Sequence, residues 1–518
     1  KMLDSVIDEI VAAQDEDGYL NTYFTFERKK DRWTDLANMH ELYCAGHLIQ
    51  AAIAHHRVTG ERKLLNAAIK LAKHINDIFG AGRKRGTCGH PEIEMALIEL
   101  YRETGNSQFL HLAHYFIDER GHGFAGGREY TIDHKPFLEL TQVTGHAVRM
   151  LYLCCGATDF YLETGNKHFY KTLTNLWEDM MTRKLYITGG AGARYEGEAF
   201  GEEYELPNRR AYAETCASIA SFMWNWRMLL ATADSKFADA MEQVLYNGLI
   251  SGISVDGKHY FYVNPLEDLG KHRRKEWFQC ACCPTNMARF LPSLPAYIYT
   301  YSDSSVWVHI YEESVCDLSL KGKPVQIYQK TGYPFNNHVE ITVKCDEAIE
   351  FDLMLRIPGW ANGYQIELNG KAENFDVKKG YAKITRLWNG TETVSLFLPT
   401  DIRIMQSHTY VRENLGKVVV LRGPILFCAE QVDNPDIDVL TFEIDPEQLF
   451  DTYTSIDPVL GETLFIKAKG FERAKGSLLY GPYFKNRILK SGKIVLTPYH
   501  LWANREQGPM VVWLKVAD

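Results

Sequence analysis

The stretch IEMALIELYRETGNSQFLHLAHYFI, residues 93–117, decides the fold class of this chain. Apolar residues recur at helical spacing from Ile93 to Leu100. Gly105 then stands where a helix commonly ends, because glycine adopts a left-handed backbone without strain. A second helical pattern follows at once over residues 109–117. The stretch therefore predicts two consecutive helices joined by a short connection.

The same arrangement recurs through residues 1–300. Segments similar to the one around Gly105 are Val58-Thr59-Gly60, Glu163-Thr164-Gly165-Asn166 and, in degenerate form, Thr232-Ala233-Asp234. Helical patterns follow them over residues 64–75, over residues 169–177 and from Phe237 onward. The uneven intervals between the copies argue against a solenoid of fixed period. We therefore expect repeated helix pairs that close into an α/α toroid.

Beyond residue 300 the apolar pattern changes from helical spacing to alternation, which is typical of strands. The alternating segments are residues 306–310, 339–343 and 394–398, with later strands predicted over 418–421 and 511–514. Asn369-Gly370 and Asn389-Gly390 are dipeptides that favour tight hairpin turns. We therefore expect a helical domain over residues 1–300 and a β-sandwich region, of one or two small sandwiches, over residues 301–518.

Composition and charge narrow the classes of function. The 518 residues are 46% hydrophobic and 24% charged, which is typical of globular proteins. The net charge of −9 gives no general reason to bind nucleic acid. The sequence contains no apolar stretch long enough to cross a membrane. Eleven cysteines are too few for a disulfide scaffold of this length, so we expect reduced thiols and favour a cytoplasmic over a periplasmic location.

Two cysteine-bearing motifs offer ligands for a metal. Glu214-Thr215-Cys216 supplies a carboxylate and a thiol, and Cys280-Ala281-Cys282-Cys283-Pro284 supplies three thiols. Zinc takes four ligands and binds thiolate together with carboxylate or imidazole. Neither motif has the spacing of a zinc finger, so spacing alone fits a metal site and a pair of buried thiol clusters equally well.

A carboxylate-rich loop and three histidines add candidates for catalysis and binding. The loop carries Glu196, Glu198, Glu202 and Glu203, and it is either a solvated loop or the holder of a protonated acid. The histidines stand at predicted helix starts, at His40, His90 and His146. If they face the centre of a toroid, they line a polar funnel that suits a sugar.

These residues belong to a series of motifs that strongly resembles glycoside hydrolase family 127, the bacterial β-L-arabinofuranosidases. The motifs are Asp17-Gly18-Tyr19-Leu20-Asn21-Thr22-Tyr23-Phe24, the His40 segment, His90-Pro91-Glu92-Ile93-Glu94, Gly197-Glu198-Ala199-Phe200, Tyr204-Glu205-Leu206-Pro207-Asn208, Glu214-Thr215-Cys216, Phe261-Tyr262-Val263-Asn264-Pro265 and Cys280-Ala281-Cys282-Cys283-Pro284. The resemblance covers residues 1–300 and continues more weakly into the strand-rich half.

The resemblance implies a fold and an activity. The fold is an (α/α)6 barrel, here the catalytic domain, followed by β-sandwich modules. The activity is that of a retaining hydrolase, which releases terminal β-L-arabinofuranose from plant-derived glycans or arabino-oligosaccharides through a thioglycosyl intermediate. Family members usually begin with a further stretch of strands and the first barrel helix, so the resemblance also predicts an N-terminal segment ahead of residue 1.

The resemblance also assigns roles to residues. Cys282 is the nucleophile and Glu198 is the acid/base. The zinc ligands are Glu214, Cys216, Cys282 and Cys283, and the residues that contact the sugar are His40, His90, His146 and Tyr262. His47 is the rival of His40, while Glu196, Glu202 and Glu203 are the rivals of Glu198.

Two other functions fit part of the sequence. A different sugar enzyme on the same barrel, such as an epimerase, a lyase or an unsaturated-uronyl hydrolase, explains the helix pairs and histidines but not the cysteines. A carbohydrate-binding protein with a structural zinc explains the cysteines but needs no acid. Within the family, the substrate could be another five-membered, deoxy or uronic sugar. The expected partner is a sugar or oligosaccharide, with neither nucleic acid nor membrane, and a homodimer is one option.

Overall fold

The computed structural model describes residues 1–80, 82–448, 450–473, 479–480 and 489–517. Within it the chain divides into two compact units. Unit 1 comprises Lys1–Leu185 and Gly192–Glu203, and unit 2 comprises Tyr186–Ala191 and Tyr204–Asp518. Each unit is described by itself below.

Unit 1 is helical and contains the predicted helix pairs. Its α-helices are α1 (Met2–Ala12), α2 (Glu41–Thr59), α3 (Lys63–Ile78), α4 (Ile93–Thr104), α5 (Ser107–Glu119), α6 (Ala147–Thr164) and α7 (Lys167–Asp179). Gly60, Gly105 and Gly165 follow α2, α4 and α6 in the left-handed conformation, with φ of 75°, 70° and 67°. Asn106 and Asn166 then cap α5 and α7 with their side chains. The prediction that glycines end these helices in the left-handed conformation is confirmed.

Helices α2, α4 and α6 pack side by side in unit 1. Helix α4 is buried on most of its surface, and α6 is buried continuously from Ala147 to Phe160. Two glycines permit this approach: a Cβ at Gly46 would lie 2.8 Å from Glu92 Cγ, and one at Gly156 would lie 2.8 Å from Glu94 Cβ. The starts of these three helices carry His40, His90 and His146, so their packing fixes where the histidines lie.

Unit 2 begins its regular structure with helices. They are α8 (Thr215–Thr232), α9 (Ser235–Gln243) and α10 (Cys282–Phe290). Ala233 ends α8 at a left-handed φ of 51°, and the side chain of Asp234 caps α9, so the degenerate fourth copy is also a helix pair. Helix α10 packs against α8.

The rest of unit 2 is two sheets of described strands. The first ten strands are β1 (Glu267–Leu269), β2 (Tyr299–Ser302), β3 (Ser305–Val308), β4 (Ser314–Leu320), β5 (Lys323–Thr331), β6 (His338–Arg356), β7 (Gln365–Leu368), β8 (Lys371–Glu373), β9 (Val377–Lys378) and β10 (Tyr381–Phe397). The others are β11 (Ile402–Met405), β12 (Lys417–Arg422), β13 (Ile425–Glu430), β14 (Glu443–Ile444), β15 (Asp451–Asp457), β16 (Gly461–Arg473), β17 (Leu489–Pro498), β18 (Pro509–Val511) and β19 (Leu514–Val516). Strands β2 to β10 form one sheet, and β1 joins β11 to β19 in the other. The predicted order of helices first and strands afterwards is therefore confirmed.

One predicted turn is wrong. Asn369-Gly370 forms the expected tight turn between β7 and β8, with φ of 50° and 78°. Asn389-Gly390 instead lies inside β10, where the register with β6 shifts between Trp388 and Gly390. Trp388 before the shift and Val394 after it are both buried and both pair with β6, so the chain continues past an irregularity rather than reversing.

Helix α9 is joined to strand β6 by a buried ion network in unit 2. Arg356, fully buried at the end of β6, lies 2.7 Å from Asp239 Oδ1 and pairs with Glu242. The hydroxyl of Tyr333 and the indole of Trp360 also donate to Glu242. Because each carboxylate has several donors, the charges stay compensated within the core.

Candidate active site

The carboxylate and thiols predicted to bind a metal lie together in unit 2. Glu214 is the residue before α8 and Cys216 is in its first turn, while Cys282 and Cys283 begin α10. One potential ligand atom from each lies within 4.8 Å of all the others. Cys216 Sγ is 3.5 Å from Cys283 Sγ, and Cys282 Sγ is 3.7 Å from Glu214 Oε1. Two segments far apart in sequence thus form one cluster.

The segment Phe261–Asn264 holds Glu214 and Cys216 in place. The backbone N–H of Thr215 donates to the carbonyl of Tyr262 at 3.0 Å, and its hydroxyl donates to the carbonyl of Phe261 at 2.8 Å. The side-chain amide of Asn264 donates to the carbonyl of Ala213 at 2.9 Å. These bonds fix the chain at the point where α8 starts, so the two candidate ligands project from an anchored turn.

The thiols of the cluster differ in exposure and charge. Cys216 and Cys283 are buried, and burial raises the pKa of both. Cys282 is only partly buried, and hydrogen bonds from Cys216 and Cys283 lower its pKa to about 2. Its place at the N-terminus of α10 also favours negative charge. Of the three thiols in the cluster, Cys282 is therefore the most acidic and the least buried.

The donor set fits a metal ion. One carboxylate and three sulfurs converge, and thiolate-rich sets select soft or borderline ions such as zinc. Cys280 is outside this set: it is exposed, and it is hydrogen-bonded to Cys282. The hydroxyl of Tyr262 also donates to Cys282.

The predicted sugar-binding histidines lie together in unit 1. The ring centroids of His40 and His90 are 6.0 Å apart, and those of His90 and His146 are 5.6 Å apart. Burial lowers the pKa of His40 and His90, which favours the neutral form of both rings. Nδ1 of His40 donates to the carbonyl of Asn38 at 2.7 Å, and Nδ1 of His90 donates to the carbonyl of Pro91 at 2.9 Å. A neutral ring in this state leaves Nε2 as an acceptor for a sugar hydroxyl.

Glu198 is distinguished from its rivals by its contacts. Its carboxylate oxygen Oε2 lies 2.9 Å from Nε2 of His146, and its side chain is 32% exposed. Glu196 is exposed, Glu202 is 81% exposed beside Arg194, and Glu203 pairs with Arg183. Glu198 is thus placed against a predicted sugar-binding residue.

Two of these residues adopt strained backbone conformations. His40 has φ of 48° and Glu198 has φ of 52°, both in the left-handed region that non-glycine residues rarely enter. Such strain costs about 1–3 kcal/mol for each residue and is concentrated at functional sites. The strain therefore supports a functional role for both positions.

Sequence reasoning missed two residues beside the histidines. Tyr43 packs between His40, His47 and His90, with its ring centroid 4.5 Å from that of His90. The buried Arg149 donates to the carbonyl of Gly89 and to the hydroxyl of Tyr130. Their positions three residues after His40 and His146 give the helical spacing that could have found them. His47 instead lies 3.3 Å from Glu92 Oε1.

Comparison with known proteins decides the family. The chain matches the β-L-arabinofuranosidase GH127 catalytic domain over residues 1–296, the GH127 middle domain over 305–400 and the family 127 C-terminal domain over 402–515. The chain belongs to glycoside hydrolase family 127. It is therefore a glycoside hydrolase, which confirms the resemblance and sets aside the epimerase, lyase and binding-protein alternatives.

Individual members of family 127 are similar over nearly the whole chain. The non-reducing end β-L-arabinofuranosidase of Bifidobacterium longum subsp. longum is 34% identical, over 99% of this chain and 84% of the relative. The crystal structure of a GH127 β-L-arabinofuranosidase from Geobacillus stearothermophilus T6 is 38% identical, with a TM-score of 0.95 over 100% of this chain and 86% of that one. A further GH127 β-arabinofuranosidase structure is 36% identical, with a TM-score of 0.93 over 100% and 84%. Among the described residues, no helix is both long and apolar enough to span a membrane.

Proposed function

We propose that this family 127 hydrolase removes terminal β-L-arabinofuranose, with retention of configuration, from plant-derived glycans or arabino-oligosaccharides. The observation that carries the proposal is the convergence of Glu214, Cys216, Cys282 and Cys283 around one point. The similarity to two β-L-arabinofuranosidases supports the choice of sugar. The proposal includes an (α/α)6 barrel within residues 1–300 and β-sandwich modules within residues 301–518.

The ion proposed for the cluster is zinc, held by Glu214, Cys216, Cys282 and Cys283. Bound there, zinc keeps the sulfur of Cys282 deprotonated and fixed in position. The one carboxylate and three thiolates suit its preference for four ligands of this kind. All further chemistry is assigned to the side chains of the protein.

The first step transfers the sugar to sulfur. The thiolate of Cys282 attacks the anomeric carbon, and the bond from that carbon to the glycosidic oxygen breaks. Protonated Glu198 gives its proton to the departing oxygen, which leaves as an alcohol. The sugar is then joined to Cys282 by a carbon–sulfur bond, with its configuration inverted once.

The second step releases the sugar. The carboxylate of Glu198 takes a proton from water, whose oxygen attacks the anomeric carbon while the carbon–sulfur bond breaks. Cys282 returns to thiolate and Glu198 returns to the acid. Two inversions give net retention, as in glycosidases that use a carboxylate nucleophile.

The remaining predicted residues are proposed to bind the sugar. His40 and His90 would hold hydroxyl groups as neutral imidazoles. His146 would bind the sugar and also orient Glu198 through their 2.9 Å contact. Tyr262, whose hydroxyl donates to Cys282, would bind sugar beside the nucleophile.

The test is hydrolysis of p-nitrophenyl β-L-arabinofuranoside in a reducing buffer without chelator, with the product anomer read by NMR. The β-anomer should appear first. Cys282→Ser should abolish turnover, whereas the matched variant Cys280→Ser should retain it. Release of the α-anomer first, or substantial turnover by Cys282→Ser, would contradict the nucleophile assignment. No hydrolysis by folded, zinc-loaded protein would indicate another sugar.

A further inference from the structure

An exposed indole lies on the segment that leads to Cys282. Trp277 is 59% exposed, although it stands five positions before Cys282 in the sequence. An extended chain spans at most about 3.6 Å per residue, so the Cα atoms of Trp277 and Cys282 lie within about 18 Å of each other. A large ring left in water at this place costs hydrophobic free energy unless a ligand covers it.

The segment that carries Trp277 is anchored on its N-terminal side. Before it, Lys275 exchanges two backbone hydrogen bonds with Tyr260, at 2.8 and 2.9 Å. The buried Arg274 donates to the carbonyls of Ser251 and Trp502. An indole on such a fixed segment is held ready for a ligand at little cost in conformational entropy.

The residue after Trp277 connects it to the nucleophile. The ring of Phe278 packs edge-on against Tyr262, with centroids 5.6 Å apart. The hydroxyl of Tyr262 donates to the sulfur of Cys282. Trp277 is thus next in sequence to Phe278, which packs on the tyrosine that contacts Cys282. The indole of Trp277 itself is open to solvent.

We propose that Trp277 is the platform on which the leaving-group sugar of the substrate stacks. The inference rests on the proposed function, because an enzyme that removes a terminal sugar buries that sugar and leaves the rest of the glycan to extend outward. A flat apolar ring suits the C–H face of a sugar, and the exposed polar side chains of Glu276 and Gln279 can meet its hydroxyls. The ligand class is the aglycone sugar of an arabino-oligosaccharide.

The test compares two substrates that differ in the leaving group alone. One is methyl β-L-arabinofuranoside, and the other is a β-L-arabinofuranosyl disaccharide with the same scissile bond. The measured quantity is the ratio of their kcat/KM values, disaccharide over methyl glycoside. Trp277→Ala should lower this ratio about tenfold, as removal of a stacked indole typically does, and Trp277→Phe should restore most of it.

Tyr301→Ala is the matched control, since Tyr301 is also 59% exposed but lies on β2. Its ratio should equal that of the wild type. An unchanged ratio in Trp277→Ala, with both substrates hydrolysed, would overturn the platform and leave the proposed function standing. Wild-type protein that hydrolyses neither substrate would overturn both. Light scattering completes the test: a dimer that Trp277→Ala converts to monomer, with the ratio unchanged, would mean that a second copy covers the indole.

Discussion

Replacing Glu198 by glutamine removes proton transfer by the proposed acid/base but keeps the position of its side chain. The glutamine side chain has the same shape, and its oxygen can still lie beside Nε2 of His146, as the carboxylate oxygen does at 2.9 Å. What Glu198→Gln removes is the proton that the acid donates. General acid catalysis contributes about 10²–10⁴ in rate, which corresponds to about 2.7–5.4 kcal/mol of activation free energy.

The loss should depend on the leaving group. For an alkyl glycoside, whose oxygen must be protonated to depart, kcat/KM should fall by about 10²–10⁴. For a dinitrophenyl glycoside, whose anion departs without a proton, the first step should be nearly unaffected. Added azide should then speed the turnover of this substrate and yield the β-glycosyl azide, because azide attacks without a general base.

The control for Glu198→Gln is Glu202→Gln on the same loop, where the side chain is 81% exposed. Its kinetics should match those of the wild type for both substrates. Equal losses for the alkyl and dinitrophenyl substrates in Glu198→Gln would refute the acid/base role. A larger loss in Glu202→Gln would move the role to that residue.

Three further outcomes are expected. Cys216→Ala should lose most of the bound zinc, because it removes one ligand, whereas Cys428→Ala in β13 should keep it. Elemental analysis measures the zinc content, and equal contents in the two variants would contradict the ligand set. Arg356→Met should destabilise the fold by about 3–5 kcal/mol in denaturant unfolding, because it leaves the buried carboxylate of Glu242 without its charged partner. Arg386 is half-exposed, so Arg386→Met should cost about 0–1 kcal/mol. Similar losses in the two variants would contradict the role of the buried network. Burial lowers the pKa of His309 to about 3. At this histidine the unfolded chain therefore binds more protons below about pH 6.5. As the pH is lowered from 7 to 5, the urea concentration at the unfolding midpoint should decrease more for the wild type than for His309→Gln, and equal changes would contradict this.

Local features of the fold could be predicted because their causes are local. Gly60, Gly105 and Gly165 end helices through a backbone preference of glycine itself, and the structure places each in the left-handed region. Asn389-Gly390 carries an equally strong local signal for a turn, yet it lies inside β10. There the pairing of β10 with β6 overrides the turn preference of the dipeptide. That pairing is a long-range interaction, so it could not be predicted from the dipeptide alone.

The candidate site could be predicted in parts. The spacing of Glu214 and Cys216, or of Cys282 and Cys283, shows two ligand pairs but not that they meet, since the packing of α8 against α10 brings them together. Only the resemblance to the family predicted that the two pairs form one site. Tyr43 and Arg149 were missed because an aromatic residue or an arginine in a helix is ordinarily read as core or surface.

The central claim, that Cys282 carries the sugar covalently, is tested most directly by trapping the intermediate. Glu198→Gln protein mixed with the dinitrophenyl β-L-arabinofuranoside should complete the first step and stall at the second. Peptide mass spectrometry should then find one pentosyl group on the peptide that contains Cys280, Cys282 and Cys283, and fragmentation should place it on Cys282. A pentosyl group on another residue, or dinitrophenol release with no adduct at any time, would contradict the account.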